Sequence, residues 1–284
     1  MSRYAETYAA WQADPQGFWQ EAAKEIDWFT PATSVFNPDS GVYGRWFDGA
    51  TCNTCYNCVD RHVADGHGDR LAVIHDSPVT GQVTRHTYAE VQAQVSALAS
   101  VLRGMGVAKG DRVVIYMPMV AEAVFAMLAC ARLGAVHSVV FGGFSPDALC
   151  GRIQDCDSTI VVTADEGCRA GRKVALKSNV DAALKDCPSV KSVIVVKATG
   201  GDVVMAEGRD VWLHEEAEKV AADCPAEPMQ AEDPLFILYP SGSTGKPKGV
   251  LHTTGGYLLW ASLTHELCFD YRPGDVYWCA ADIG

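Results

Sequence analysis

The chain has 284 residues, of which 48% are hydrophobic, and this is enough apolar material for one large domain or two smaller ones. Its 35 acidic and 23 basic side chains give a net charge of −12, which disfavours nonspecific binding to nucleic acid or to anionic membranes. No apolar stretch approaches the roughly 20 residues that span a bilayer. Residues 1–6 lack an apolar signal segment, and the eleven cysteines are scattered, so we expect reduced thiols and a cytoplasmic protein.

Residues 1–58 are rich in aromatic side chains and in turn residues. Short helices are predicted at 5–10 and 17–26, and turn residues such as Pro31 interrupt the remainder. Because long regular elements are missing, we interpret 1–58 as a capping segment that packs its rings onto the main body of the protein. A ligand site built from these rings is the alternative.

Three cysteines close to the end of this segment have a spacing that could hold zinc or an iron–sulfur cluster. They are Cys52, Cys55 and Cys58, and His62 is the nearest candidate for a fourth ligand. The alternative is that the spacing is accidental.

From residue 59 onward, strand-like and helical patterns alternate. Thr87 and Glu90 predict a capping box for a helix that runs to Arg103 and ends at the glycines that follow. The other predicted strands are 70–75, 112–116, 136–141, 159–163, 192–196, 235–239 and 275–279. The other predicted helices are 120–133, 146–155, 179–185, 211–222 and 256–265. This alternation predicts an α/β fold with mostly parallel sheets flanked by helices.

The most informative stretch follows the predicted strand 235–239 and reads YPSGSTGKPKGV over residues 239–250. Glycines let backbone N–H groups approach an anion closely, while hydroxyl and ammonium groups add donors and positive charge. Those side-chain donors are Ser241, Ser243, Thr244, Lys246 and Lys248. The pattern predicts a loop that binds phosphate oxygens, and a flexible Gly/Ser linker is the alternative.

This motif differs from the P-loop of kinases and GTPases, which has the form G-x-x-x-x-G-K-[ST]. Only two residues separate Gly242 from Gly245, and Pro247 follows Lys246. No hydroxyl beside the lysine is available to hold magnesium, and a proline cannot donate an N–H to a phosphate. We therefore reject the P-loop interpretation.

The run 241–249 resembles the phosphate loop of the adenylate-forming superfamily, which includes acyl-CoA synthetases, luciferases and the adenylation domains of peptide synthetases. Within that superfamily, several further stretches are similar to the AMP-forming acetyl-CoA synthetases, with the propionyl-CoA synthetases as nearest neighbours. These stretches are 116–119, 128–139, 141–144, 165–172 and 251–258. The resemblance extends from about Trp19 to the last residue.

The resemblance implies an AMP-forming acid–thiol ligase that joins acetate to CoA through an acetyl-adenylate and releases AMP and diphosphate. A carboxylate is a poor electrophile because its charge repels nucleophiles, and adenylation replaces one of its oxygens with a good leaving group. The resemblance assigns the phosphates of ATP, bound with Mg²⁺, to Ser241, Gly242, Ser243, Thr244, Gly245, Lys246, Lys248 and Gly249. It assigns the CoA nucleotide to Arg169, Ala170, Gly171 and Arg172. On their own residues, these last four would be interpreted as a solvated basic loop.

In the family, the acyl pocket, the adenine-binding strand and the domain with the catalytic lysine follow the point where this chain stops. We therefore expect 59–284 to be an AMP-binding domain that is incomplete at its C-terminus, and we assign no catalytic residue within the chain. The expected partners are the small-molecule substrates and the missing C-terminal part, with neither nucleic acid nor membrane. A propionate–CoA ligase and an inactive stand-alone nucleotide-binding fragment remain open alternatives.

Two details refine these expectations. The family pattern around Cys58 needs neither Cys52 nor Cys55, so we favour accidental spacing and predict no metal site there. Pro240 occupies a position where the family has threonine or serine, which removes a hydroxyl and a backbone N–H from the phosphate loop. We expect weaker ATP binding or slower adenylation than with threonine at this position.

Three other residues or pairs have structural interpretations. Gly142 and Gly143 do not belong to a G-x-G-x-x-G motif, so we predict that they allow close backbone packing. His137 lies in an apolar strand and is interpreted as a core residue. His252 follows the phosphate loop, and both a structural and a functional role are open for it.

Overall fold

The computed structural model describes residues 3–78, 80–169, 171–240 and 248–284. The helices are α1 (Tyr4–Ala13), α2 (Pro15–Ala22), α3 (Tyr88–Gly104), α4 (Ala121–Leu133), α5 (Pro146–Cys156), α6 (Leu176–Ala183), α7 (Leu213–Ala217) and α8 (Thr254–Leu267). Shorter helical turns lie at Ala23–Glu25, Tyr56–Asp60, Val63–His67 and Leu184–Asp186. The strands are β1 (Ser34–Asn37), β2 (Arg45–Asp48), β3 (Thr51–Cys52), β4 (Leu71–Ser77), β5 (Gln82–Thr87), β6 (Arg112–Tyr116), β7 (Val136–Val139), β8 (Ile160–Ala164), β9 (Gly167–Arg169), β10 (Arg172–Val174), β11 (Ser192–Val196), β12 (Asp210–Trp212), β13 (Met229–Gln230), β14 (Pro234–Leu238) and β15 (Val250–Thr253).

The largest sheet within these residues has seven strands in the order β12-β11-β8-β6-β7-β14-β15. Its neighbouring strands are parallel except for β14 and β15, which form an antiparallel pair. The predicted α/β fold with a mostly parallel sheet is confirmed. The chain passes from β6 to β7 on one side and then crosses back to β8 on the other, and right-handed crossovers put α4 and α5 on opposite faces of the sheet.

The core of this sheet is aliphatic. All five residues of β8 are buried, as are four of the five in β6 and in β11. Strands that are covered by helices on both faces need apolar side chains on both faces, which explains the continuous β-branched runs in the sequence. Helix α3 packs against α4 on one face, and α5 packs against α6 on the other.

The predicted capping box is confirmed in full. The Thr87 hydroxyl accepts a hydrogen bond from the Glu90 N–H at 3.2 Å, and the Glu90 carboxylate accepts one from the Thr87 N–H at 2.8 Å. Such a cap contributes about 1 kcal/mol to the stability of a helix.

Two predicted elements are wrong. Residues 275–279 form no strand, and the residues of the predicted helix 211–222 divide between strand β12, helix α7 and irregular backbone. Val211 and Trp212 pair with β11 at the edge of the sheet, and a three-residue edge strand is too short to show the alternation that distinguishes a strand from a helix. Val276 and Trp278 are exposed, and an apolar run alone does not make a strand without a partner to pair with.

The segment before residue 59 forms a second, smaller core with the rest of the chain. Ile26, Phe47 and Cys52 are buried there against Leu258 and Leu259 of α8. The fully buried Asn53 side chain donates hydrogen bonds to the carbonyl oxygens of Ala131 and Glu227, at 2.9 and 2.8 Å. These contacts join the segment to the body that carries the main sheet.

Among the described residues, no helix combines the length and the apolar character that crossing a bilayer requires.

Candidate active site

The loops that leave the carboxyl ends of the parallel strands lie at one edge of the main sheet. In doubly wound sheets, ligands bind at this edge, close to the point where the strand order reverses. Here the reversal occurs between the neighbouring strands β6 and β8, whose outgoing connections run in opposite directions. A cavity of about 520 Å³ lies beside it and is lined by the loops after β6, β7, β8 and β11 and by the β4–β5 hairpin. Its size is within the range of pockets that hold small molecules.

The predicted phosphate loop connects β14 to β15 at the same edge. Ser241, Gly242, Ser243, Thr244, Gly245 and Lys246 lie outside the described residues. The two ends of the loop are described, and Leu238 pairs with Val250 across the β14–β15 hairpin. A Cβ on Gly249 would lie 2.7 Å from Ile237 and 3.3 Å from the Tyr239 ring, so only glycine fits at this point. Lys248 and Pro240 are exposed beside it.

Tyr239, at the start of the loop, is anchored to helix α5. Its hydroxyl donates a hydrogen bond of 2.7 Å to the Asp155 carboxylate. The Arg152 guanidinium lies over the Tyr239 ring at 5.2 Å and over the Phe144 ring at 4.6 Å. Burial, reinforced by the hydrogen bond to Asp155, raises the pKa of the Tyr239 hydroxyl. The hydroxyl therefore stays protonated and fixes the direction in which the chain enters the loop.

The two arginines predicted to bind CoA lie opposite each other on a small hairpin. In the β9–β10 pair, Arg169 is the register partner of Arg172, and Gly171 turns the chain with φ = +74°. Like charges directly opposite on a hairpin repel each other, so the arrangement favours an anion between them. Ala170, the fourth predicted residue, lies outside the described residues.

The Arg169 guanidinium is held against the loop that follows β7. It lies 4.5 Å from the centre of the Phe141 ring. A Cβ on Gly143 would clash with both Arg169 and Phe141, and a Cβ on Gly142 would lie 2.9 Å from the Met117 carbonyl oxygen. The prediction of close backbone packing is confirmed for Gly142, whereas Gly143 makes room for the Arg169 and Phe141 side chains. Arg169 also lines the cavity, and a guanidinium group there suits a flat base or a phosphate.

Asp165 is a buried carboxylate at the carboxyl end of β8 that sequence analysis did not single out. Its two oxygens accept backbone hydrogen bonds of 2.7–3.3 Å from the N–H groups of Glu166, Ala198, Thr199, Gly200 and Gly201. One side chain thereby ties the loop after β8 to the loop after β11. The sequence feature that could have identified Asp165 is its position, because it is a polar residue directly after a buried parallel strand.

Glu166 reaches the cavity next to this anchor. Its carboxylate accepts hydrogen bonds from Lys173 at 2.7 Å and from the Thr199 hydroxyl at 2.9 Å. These two hydrogen bonds, the one from Lys173 first, hold the pKa of Glu166 below its usual range. Its negative charge is compensated by Lys173.

Several other residues that sequence analysis discussed lie outside this cavity. His137 is buried in β7, and its ring stacks on Phe236 at 5.4 Å, as expected for a core residue, although its Nδ1 has no hydrogen-bond partner in the described part of the chain. The His252 ring also stacks on Phe236, with the two ring centroids 4.4 Å apart.

Cys52 and Cys55, two of the three clustered cysteines, take part in the packing of the fold. Cys52 belongs to β3, and the Cys55 thiol accepts a hydrogen bond from Arg132. Burial raises the pKa of both thiols to about 12. In residues 3–78, 80–169, 171–240 and 248–284, no group of three or more His, Cys, Asp or Glu side chains is placed to hold a metal ion.

Residues 60–284 match the family of AMP-binding enzymes, and residues 4–58 match the N-terminal region of acetyl-coenzyme A synthetases. The chain belongs to the AMP-binding enzyme family. The chain is 58% identical over 287 residues to an acetyl-coenzyme A synthetase of Xanthobacter autotrophicus, and 56% identical over 282 residues to acetyl-coenzyme A synthetase 2 of Pseudomonas putida. The alignments cover 100% and 99% of this chain, and 44% of each relative.

A solved structure supports the fold assignment. The acetoacetyl-CoA synthetase from Streptomyces lividans superposes with a TM-score of 0.85 and 27% sequence identity, over 94% of this chain and 41% of that one. The chain therefore spans less than half the length of the relatives that it matches.

Proposed function

We propose that this chain is the N-terminal part of an acetate–CoA ligase. The complete enzyme would convert acetate, ATP and CoA into acetyl-CoA, AMP and diphosphate through an acetyl-adenylate. The observation that carries the proposal is the common sheet edge: the phosphate motif follows β14 and the arginine hairpin follows β8, and both strands belong to one parallel arrangement. ATP and CoA could thus be bound at the same edge of the sheet.

The residues of the chain suggest a division of roles. Lys248, together with the hydroxyls, N–H groups and Lys246 of the loop, would bind the β- and γ-phosphates so that the carboxylate attacks in line. Magnesium would enter with ATP as part of the substrate and neutralise part of the triphosphate charge. Arg169 and Arg172 would bind the CoA nucleotide, since guanidinium groups pair with phosphate and stack on bases.

We propose that 59–284 is an AMP-binding domain that a C-terminal part completes, with 1–58 as its N-terminal cap, and that the small-molecule substrates are its binding partners. All eleven cysteines are placed as free thiols, which favours a cytoplasmic location. Acetate is favoured over propionate by the relatives, which are named acetyl-coenzyme A synthetases at 54–58% identity.

The proposal is tested by acid-dependent exchange of labelled diphosphate into ATP. A complete enzyme that carries this chain as its N-terminal part is assayed with acetate, propionate and butyrate, and without an acid. We expect exchange that depends on the acid and is fastest with acetate. Exchange fastest with propionate would instead support the propionate–CoA ligase.

The 284-residue chain alone is the second arm of the test. We expect it to form no acetyl-CoA, because the acyl pocket and the catalytic lysine of the family are supplied by other residues. If the complete enzyme shows no exchange with any of the three acids, the ligase proposal is wrong. Nucleotide binding without exchange in both proteins would favour the alternative of an inactive nucleotide-binding chain.

A further inference from the structure

A lysine at the carboxyl end of β11 lines the cavity and has no obvious structural role. Lys197 directly follows the strand and is exposed to the cavity. In the described part of the chain, no carboxylate lies within 4.0 Å of its ammonium group. Its Cε lies 3.9 Å from the position that a Cβ on Gly200 would occupy, so its stem passes over the turn that follows. An unpaired cation held at a cavity wall is a candidate for binding an anion.

The loop that carries Lys197 is unusually well fixed. The buried Asp165 carboxylate accepts hydrogen bonds from four successive N–H groups, from Ala198 to Gly201. The Asp165 N–H donates at 2.9 Å to the carbonyl oxygen of Val196, the residue before Lys197. Carboxylates that accept several backbone hydrogen bonds hold loops rigidly, because leaving those donors unpaired in a buried site is costly.

The fixed loop faces the same cavity as the stacked arginine. Strands β8 and β11 are neighbours in register, so the segments that begin at Asp165 and Lys197 leave the sheet side by side. The Thr199 hydroxyl bonds to Glu166, three residues before Arg169. The other carboxylates of the cavity belong to separate elements: Asp76 to β4, Glu122 to α4 and Asp282 to the last residues of the chain.

We propose that Lys197 is a further binding residue for a phosphate group of CoA. Asp165 is the positioning residue that holds the loop of Lys197 at the cavity. This inference rests on the proposed function and adds a second cation on the wall beside Arg169. Lysine suits the role as a compact point charge that follows a phosphate without a fixed orientation.

The test uses the complete enzyme and separates its two half-reactions. The variant Lys197→Gln removes the charge at an exposed position, so folding is not at risk. We expect its KM for CoA to rise about tenfold, the effect of losing one charge-assisted hydrogen bond. Diphosphate exchange with acetate and MgATP contains no CoA, and we expect it to change by less than twofold. The matched control is Lys191→Gln, an exposed lysine just before the opposite end of β11, for which both quantities stay at the wild-type level.

Two outcomes overturn the inference. The first is a KM for CoA within twofold of the wild-type value in Lys197→Gln. The second is an equal fall of diphosphate exchange and thioester formation, which would indicate a general disturbance. Either result leaves the proposed function intact as long as the wild-type enzyme shows acetate-dependent exchange. If the wild-type enzyme shows none, the proposed function fails first, and this inference fails with it.

The positioning role is tested with Asp165→Asn, which replaces one of the two acceptor oxygens by an NH2 group that cannot accept a hydrogen bond from the backbone N–H groups. We expect a rise in the KM for CoA of at least tenfold while diphosphate exchange is largely retained. The control is Asp111→Asn, where a carboxylate also accepts from a backbone N–H, that of Ala108 at 2.8 Å, just before the opposite end of β6. A Tm lowered in Asp165→Asn with an unchanged KM for CoA would show that Asp165 is only structural.

Discussion

The main sheet and the N-terminal segment stabilise the chain in different ways. In β8 and β11, aliphatic side chains are buried almost completely, and the loops that they carry are thereby fixed at one edge. In the N-terminal segment, aromatic rings dominate, and many remain at the surface: Tyr4 is 70% exposed and Trp46 is 39% exposed. The aliphatic core positions the candidate site, whereas the aromatic segment packs against helix α8.

The junction between the two regions is polar. Asp60 and Arg132 form an ion pair of 2.7 Å in which both side chains are nearly buried. Both residues belong to the body, but Arg132 also donates to the thiol of Cys55 in the N-terminal segment at 3.4 Å, and the Asn53 amide of that segment donates to backbone carbonyl oxygens of the body. Hydrogen bonds and ion pairs have directional requirements that ring packing lacks, so the junction specifies how the segment sits on the body.

The largest effect is expected at the junction. In Asp60→Asn the Arg132 charge stays buried without its counter-ion, which should lower the free energy of unfolding by about 3–5 kcal/mol. Chemical denaturation of the chain measures it. The control is Asp157→Asn, whose partner Arg112 is half-buried and whose own carboxylate is exposed, and which should cost less than about 1 kcal/mol. Equal losses in the two variants would mean that the junction does not depend on this ion pair.

The next effect is a pH dependence inside the main core. Burial lowers the pKa of His137 to about 4 from an ordinary value of 6.5. The unfolded chain then binds the proton first as the pH falls, so stability is fully present above pH 6.5 and is lost progressively down to about pH 4. The loss from this residue should be on the order of 3 kcal/mol.

The variant His137→Phe keeps the stacking partner of Phe236 and removes the titration. Its stability should fall less steeply than that of the wild type between pH 6.5 and 4, measured as the denaturation midpoint at each pH. His67→Gln, at an exposed position, serves as the control and should follow the wild type. Parallel curves for wild type and His137→Phe would contradict the prediction.

The sequence predicted those features that depend on neighbours in the chain. The capping box of Thr87 and Glu90 spans three residues, and the buried strands β6 and β11 were predicted with their observed bounds because a continuous β-branched run reflects burial on both faces. The opposed pair Arg169 and Arg172 likewise lies on one short hairpin.

Features that depend on distant contacts were missed. Asp165 bonds to N–H groups more than thirty residues away, and nothing in its neighbourhood shows this. Lys197 looks like an ordinary surface lysine until the order of β8 and β11 places it beside the arginine hairpin. The antiparallel strand β15 was also missed, because its four residues gain their conformation from pairing with β14.

The smallest effect is expected on the outer face of the aromatic layer. The rings of Tyr4, Tyr8 and Trp11 stack on one another along α1, with centroids 5.8 and 5.7 Å apart, and all three are exposed. Because Tyr8→Ala removes a ring that is still largely in water, we expect a loss of less than about 1 kcal/mol in the free energy of unfolding. Ile26→Ala, in the small core beneath, should cost about 2–4 kcal/mol because it opens a cavity. A loss for Tyr8→Ala as large as that for Ile26→Ala would show that the outer rings hold the segment in place, and that the aromatic layer is a core in its own right.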